Sequence, residues 1–125
     1  MNKNLTITAV LGITTIILGA FGAHALSKSL TIEGLNSFET AVLYQMFHVI
    51  VLLFVNTYKD FTIQQQNRIS YLFFLGILFF SGSIYVIQLL GVSAKVIWFI
   101  TPLGGFFLML GWLFMAVSFA KRNQQ

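Results

Sequence analysis

Apolar residues run in four long blocks along this chain, at residues 5–26, 40–58, 69–90 and 96–120, and none of the four contains Lys, Arg, Asp or Glu. A hydrocarbon layer of about 30 Å takes about 20 helical residues to cross at a rise of about 1.5 Å per residue. Each block meets or nearly meets that length. The runs are continuous, without the short apolar–polar alternation of barrel strands, and lipid offers no partner to open backbone groups, so helices are the spanning form. The pattern predicts an all-α fold: one membrane domain over residues 1–125, built as a four-helix transmembrane bundle with short loops.

The interruptions of the pattern carry information of their own. Residues 27–39 set Leu30, Ile32, Leu35 and Phe38 among Ser, Asn and Glu, which predicts a short amphipathic helix on the outer surface before the chain turns into the second span. In the fourth block, Thr101-Pro102-Leu103-Gly104-Gly105 breaks the helical run, because proline lacks the backbone donor and clashes with the preceding turn. Two readings are open. The helix kinks there, or it begins there with Thr101 as N-cap and Pro102 in the first helical position. In the second reading residues 102–120 still cross the membrane, and residues 92–100 become an outer connector with Trp98 as an interface anchor. Gly12 and Gly19, Gly19 and Ala23, and Gly76 and Ser83 fall at helical spacings that allow close contact between helices.

Composition strengthens the membrane reading. Hydrophobic residues make up 58% of the chain and charged residues 8%, too few charges to cover the surface of a soluble domain. Without cysteine, disulfides, thiolate nucleophiles and iron–sulfur sites are excluded. The formal charge of +4 is scattered between apolar runs and forms no basic stripe, so nucleic acid is not an expected partner. Instead the charges indicate orientation. Lys3, Lys59, Arg68, Lys121 and Arg122 fall on one side of the four spans, against Lys28 and Lys95 on the other. The positive-inside bias then puts both termini and residues 59–68 in the cytoplasm. Lys3, the first apolar run and Ala23-His24-Ala25 also fit the outline of a cleavable secretory signal. A run of this length, with glycines of the kind found at helix contacts, favours a retained first span.

Four strings, one in each span and in order along the chain, resemble one family: Gly19-Ala20-Phe21-Gly22-Ala23-His24-Ala25-Leu26, Thr40-Ala41-Val42-Leu43-Tyr44-Gln45-Met46-Phe47-His48, Phe80-Ser81-Gly82-Ser83-Ile84-Tyr85 and Thr101-Pro102-Leu103-Gly104-Gly105. The chain is similar over essentially its whole length to the small membrane proteins of domain of unknown function 423, also called uncharacterised protein family 0382, which include transmembrane protein 256. The resemblance implies a multi-pass protein of the bacterial plasma membrane with an uncleaved first helix. It implies no activity and no cofactor.

Candidate chemistry centres on the second span. His48 lies eight residues past Thr40, close to mid-bilayer, where an ionisable side chain is a functional candidate by default. Tyr44 and Gln45 share its helical face, and the Gln45 amide is placed to bond the imidazole or to line a common cavity with it. Two readings compete: interhelical hydrogen bonds that hold the bundle, worth about 1 kcal/mol each in membranes, or a polar route for protons or a ligand. His24 sits near the outer end of the first span, where only Glu39 is a nearby carboxylate; its depth differs from that of His48, which makes a shared metal or haem a poor expectation. Ser81, Ser83 and Gln88 on the third span are expected to bond across to a neighbouring helix, and Thr101, Pro102 and Gly104 to shape the fourth. There is no buried carboxylate pair, no Gly-x-Ser-x-Gly turn, no phosphate loop and no His-Glu-x-x-His helix, so neither a catalytic site nor a metal site is expected. The leading expectation is an accessory or structural membrane component that packs with itself or within a larger membrane complex. The alternative is a small oligomeric transporter or channel subunit with a polar route near His48.

Overall fold

The computed structural model describes residues 2–122. Four α-helices follow in order: α1 (Lys3–His24), α2 (Ile32–Thr57), α3 (Ile63–Leu90) and α4 (Ile100–Arg122), with a 3-10 turn at Leu26–Lys28 after α1. Among the described residues there is no strand. All four helices are long and apolar enough to cross a membrane.

Each start has a local cause. The Asn2 side chain accepts from the Leu5 backbone N–H at 3.2 Å, and the Thr31 hydroxyl accepts from the Gly34 N–H at 3.0 Å, so both helices open on a side-chain cap. At α3 the capping is reciprocal. The Gln65 N–H donates to Thr62 Oγ1 at 3.1 Å and the Thr62 N–H donates to Gln65 Oε1 at 2.9 Å, which starts the helix on the polar stretch ahead of the apolar run. Its end is set by Gly91, whose φ of 68° is a left-handed C-cap that favours glycine.

Two sequence expectations change here. The amphipathic segment at residues 27–39 is not a separate surface helix, because α2 runs unbroken from Ile32. Packing explains the continuity: Phe38 is fully buried, against Gly22 of α1 and Tyr85 of α3, whose ring centroid is 5.3 Å away. A helix laid on the membrane surface would expose that ring. At α4, the second of the two readings holds in modified form. The helix begins at Ile100, and the Leu103 N–H donates to the Phe99 carbonyl at 3.1 Å. Pro102 therefore sits in the first turn, where its missing donor costs nothing. Thr101 is not the cap; its hydroxyl lies 2.5 Å from that of Ser83. Trp98, on the connector ahead of α4, is 71% exposed.

The helices alternate in direction. Asn4, Asn56 and Asn67 meet at one end, and Gly34 meets Gln88 at the other. The first end carries Lys3, Lys59, Arg68, Lys121 and Arg122 and is called the basic end below. α2 and α3 form the centre, with α1 and α4 on opposite flanks. The tightest seam is α3 against α4. A methyl group added at Gly76 would strike Leu108, one at Gly111 would come within 2.6 Å of the Phe73 ring, and one at Gly104 would come within 2.6 Å of the Phe79 carbonyl carbon. Between α1 and α2 the close approach is Gly22 on Phe38, whereas Gly12 and Gly19 each have room for a methyl. Leu52, Val55, Ile69, Phe73, Leu108 and Met115 form the core. At the basic end, Phe54 stacks on Tyr58, Tyr58 meets Phe61 edge-on, and Phe119 packs at a tilt on Phe61. Arg122 lies over the Tyr58 ring and pairs with Asp60 at 2.6 Å.

Polarity is arranged in reverse of a soluble protein. Ile13, Ile16, Ile50, Leu78 and Met109 face outward, while Thr8, Thr15, Gln45, Asn56, Ser70 and Ser81 are buried. In lipid the outward apolar surface costs nothing, and of the inward polar groups Gln45, Asn56, Ser70 and Ser81 bond between helices, while Thr8 and Thr15 bond to carbonyls of their own helix.

Candidate functional site

His48 projects from α2 toward α4, about 13 Å along the helix from its Thr57 end at the usual rise. Its side chain is 6% exposed. Nδ1 lies 2.6 Å from the Tyr44 carbonyl, and Nε2 receives the indole N–H of Trp112 at 3.1 Å. Indole nitrogen only donates, so Nε2 must be the acceptor; the remaining proton is then on Nδ1, donated to the carbonyl. This is a neutral imidazole with both nitrogens occupied. Phe73 and Trp112 pack on the ring, with centroids 5.2 and 6.0 Å away. A metal ion or an incoming proton would have to displace the Trp112 N–H to reach Nε2.

Gln45 does not turn to His48, despite sharing its face. The Gln45 amide nitrogen donates to the Leu11 carbonyl at 3.1 Å and to the Thr14 hydroxyl at 2.9 Å, and its oxygen accepts from the Tyr85 hydroxyl at 2.7 Å. One amide thus ties α1, α2 and α3 together, while His48 ties α2 to α4. Tyr44 is half-exposed and stacks on Phe80 at 4.8 Å; it serves His48 through its backbone carbonyl and not its hydroxyl.

The remaining candidates are spread over the other end of the bundle. The Ser81 hydroxyl donates to the Ala41 carbonyl of α2 at 2.8 Å, and the Ser83–Thr101 pair joins α3 to α4. Gln88 places its side-chain oxygen over Gly34, where a methyl group would come within 2.6 Å of it. His24 is exposed at the end of α1. Pro102 and Gly104 shape the α4 start and the α3–α4 seam. Among the described residues no three His, Asp or Glu side chains converge as a metal site would require. The structure therefore distributes the sequence candidates over several interhelical bonds and does not gather them into one pocket.

A further polar cluster was not anticipated. At the basic end the Asn4 amide nitrogen donates to Asn56 Oδ1 at 3.0 Å and to Asn67 Oδ1 at 2.8 Å. The Asn56 nitrogen donates to the Ser70 hydroxyl at 2.8 Å and to the Leu52 carbonyl at 2.9 Å. The cluster borders a chamber of about 470 Å³ open at the basic end. A signal existed in the spacing: Gln45, His48, Leu52 and Asn56 lie on one helical stripe, so Asn56 continues the face that holds the other two polar residues. Trp112 and Tyr85, by contrast, read as ordinary aromatic residues of an apolar span.

A family model described as a protein of unknown function, DUF423, matches residues 18–105. The chain belongs to the DUF423 family. A UPF0382 membrane protein of Haemophilus influenzae is 39% identical to this DUF423 chain over 122 residues, covering 96% of it and 95% of the relative. A UPF0382 membrane protein of Staphylococcus saprophyticus is 39% identical over 103 residues, with 82% and 84% covered. UPF0382 inner membrane protein YgdD of Escherichia coli K12 is 36% identical over 122 residues, with 91% and 86% covered. No solved structure matches. The DUF423 match contains Gln45, His48, Tyr85 and the Ser83–Thr101 pair, while Asn4 and Trp112 lie outside it.

Proposed function

We propose that this protein is a non-enzymatic structural or accessory component of the bacterial plasma membrane, with both termini in the cytoplasm. The observation that carries the reading is the occupied state of His48. Its two ring nitrogens are spent on Tyr44 and Trp112, which leaves no free lone pair for a ligand and no open acceptor for a proton. The same holds elsewhere: among the described residues, no buried side-chain nitrogen or oxygen lacks a partner. Polar groups used in this way define helix positions and contribute modestly to stability, about 0.6 kcal/mol each on average. A polar route would instead need open, facing groups in continuous sequence, and Leu52, Phe73 and Ile77 fill the core between the Asn56 and Gln45 levels. The orientation rests on the five-to-two excess of basic residues at one end.

The test is the proton and cation permeability of liposomes holding the purified protein, native and His48→Ala, between pH 5 and 8. Both are expected to be tight, with the variant less stable to unfolding. A flux abolished by His48→Ala would overturn the reading and move the protein into the transporter class.

A further inference from the structure

α1 and α3 run in the same direction on one side of the bundle and touch through Asn4 and Asn67, with α2 behind them. Above that contact a groove of about 370 Å³ opens between them. Its walls are Ile7, Leu11 and Leu18 on α1 and Phe74, Leu78 and Gly82 on α3, and Gln45 lies at its floor. Below the contact is the chamber at the basic end, about 470 Å³, bordered by Lys3, Asn4, Asn56, Asn67 and Tyr71. The polar chamber and the apolar groove thus lie on the same pair of helices, one after the other along the membrane normal.

We propose that this α1–α3 cleft is a binding site for one anionic phospholipid, with the phosphate headgroup in the chamber and an acyl chain along the groove. Charge favours an anion. Lys3 borders the chamber and no carboxylate does. The Asn67 carbonyl is taken by Asn4, which turns the Asn67 amide nitrogen into the available group, alongside the Tyr71 hydroxyl and the Lys3 ammonium. All three donate. Both bordering helices also begin at this end, so their positive dipole ends add to the same field. The groove selects a lipid over a free phosphate: it lies within the apolar spans and is lined almost wholly by hydrocarbon, which a soluble anion would leave empty. Gly82 widens it, and a Cβ added there would meet nothing nearer than 3.9 Å.

The test uses the full chain purified in detergent, stripped of lipid and titrated with phosphatidylglycerol or phosphatidylcholine, with bound lipid counted by native mass spectrometry. The native protein is expected to hold one phosphatidylglycerol per chain and to bind phosphatidylcholine more weakly. Lys3→Gln, at an exposed position, should weaken phosphatidylglycerol about fivefold, the effect of one lysine near a membrane surface, and leave phosphatidylcholine unchanged. Gly82→Leu adds bulk at the groove wall, where the first side-chain carbon has open space, so it should lose the lipid, and a denaturation curve like that of the native chain shows that the fold is kept. Equal retention of the two lipids, an unchanged Lys3→Gln, or a Gly82→Leu protein that keeps its lipid would each overturn the proposal. So would sn-glycerol 3-phosphate competing at the same concentration as the intact lipid, which would make the occupant a soluble anion. None of these readouts depends on whether the protein conducts ions, so the site and the proposed function fail separately.

Discussion

Gly104→Ala should be the most damaging single methyl in the protein, and its neighbour supplies the control. At Gly104 the added carbon would fall 2.6 Å from the Phe79 carbonyl carbon and 2.7 Å from Phe80 Cα. These are backbone atoms of α3, which cannot rotate aside as a side chain could. Carbon atoms need about 3.5 Å or more, so the two helices must separate by about 1 Å at this crossing. The separation also stretches the Ser83–Thr101 contact, 2.5 Å in the native fold. Overpacking of this kind costs about 1–3 kcal/mol, and an interhelical hydrogen bond in a membrane adds about 0.6 kcal/mol.

At Gly105 the same methyl meets only Phe80 Cδ2 at 3.9 Å, an ordinary contact. Both substitutions gain the same helical preference of alanine over glycine, about 1 kcal/mol in water, so the difference between them isolates the steric term. Unfolding would be followed by helicity and tryptophan fluorescence as the mole fraction of sodium dodecyl sulfate rises in mixed micelles. Gly104→Ala should be less stable than Gly105→Ala by about 1.6–3.6 kcal/mol, the sum of the packing and hydrogen-bond terms. Two variants within roughly 0.5 kcal/mol of each other, the scatter of inert substitutions, would refute the close α3–α4 approach.

Trp112→Phe removes the indole donor to His48 Nε2 and should cost about 1–2 kcal/mol; a double-mutant cycle with His48→Ala should then show positive coupling between the two positions, and additive losses would argue against the bond. Asp60→Asn breaks an ion pair whose side chains are 48–50% exposed, so unfolding should move by less than about 0.5 kcal/mol, and a larger shift would mean the pair is shielded from water. Because the chain has no cysteine, single cysteines report orientation directly. An impermeant maleimide added to intact cells should label Ser93→Cys and not Gln64→Cys, and the reverse pattern would invert the topology.

The spans were legible because their signal is thermodynamic and local: long runs without charge have one stable home. Helix ends were harder to read, since they depend on contacts distant in sequence. Ile32 to Glu39 looks like a surface helix as long as Phe38 has no partner, and becomes part of α2 once Gly22 and Tyr85 bury that ring. The proline was readable as a helix start or a kink; the start holds, but at Ile100 and without Thr101 as its cap, because that hydroxyl meets Ser83 of α3, a contact distant in sequence. His48 and Gln45 stood out as polar residues in an apolar span, yet their shared face suggested a shared site. Their side chains diverge to α4 and to α1 and α3 respectively, because one helical face is wide enough to border two neighbours at once. Trp112 and Tyr85 could not be singled out, since an aromatic residue in a membrane span gives no sign in sequence of whether its polar atom faces lipid or a partner.

How α1 is held connects the fold to the cleft. Its outward face is almost wholly apolar, from Ile7 through Phe21, and lipid solvates that face as well as a neighbouring helix would. Besides the packing of Gly22 on Phe38, α1 is attached where polar atoms meet: Asn4 on Asn56 and Asn67 at the basic end, and the Leu11 carbonyl and Thr14 hydroxyl on Gln45 further along. Above the Asn4 tie, α1 and α3 part instead of packing, and the apolar groove between them runs from Ile7 to Leu18, past the Gln45 tie at its floor. The buried amides thus have a role that their small energies conceal: they fix where α1 sits against α2 and α3, and the space left between α1 and α3 is room that an acyl chain fills as well as a neighbouring helix would.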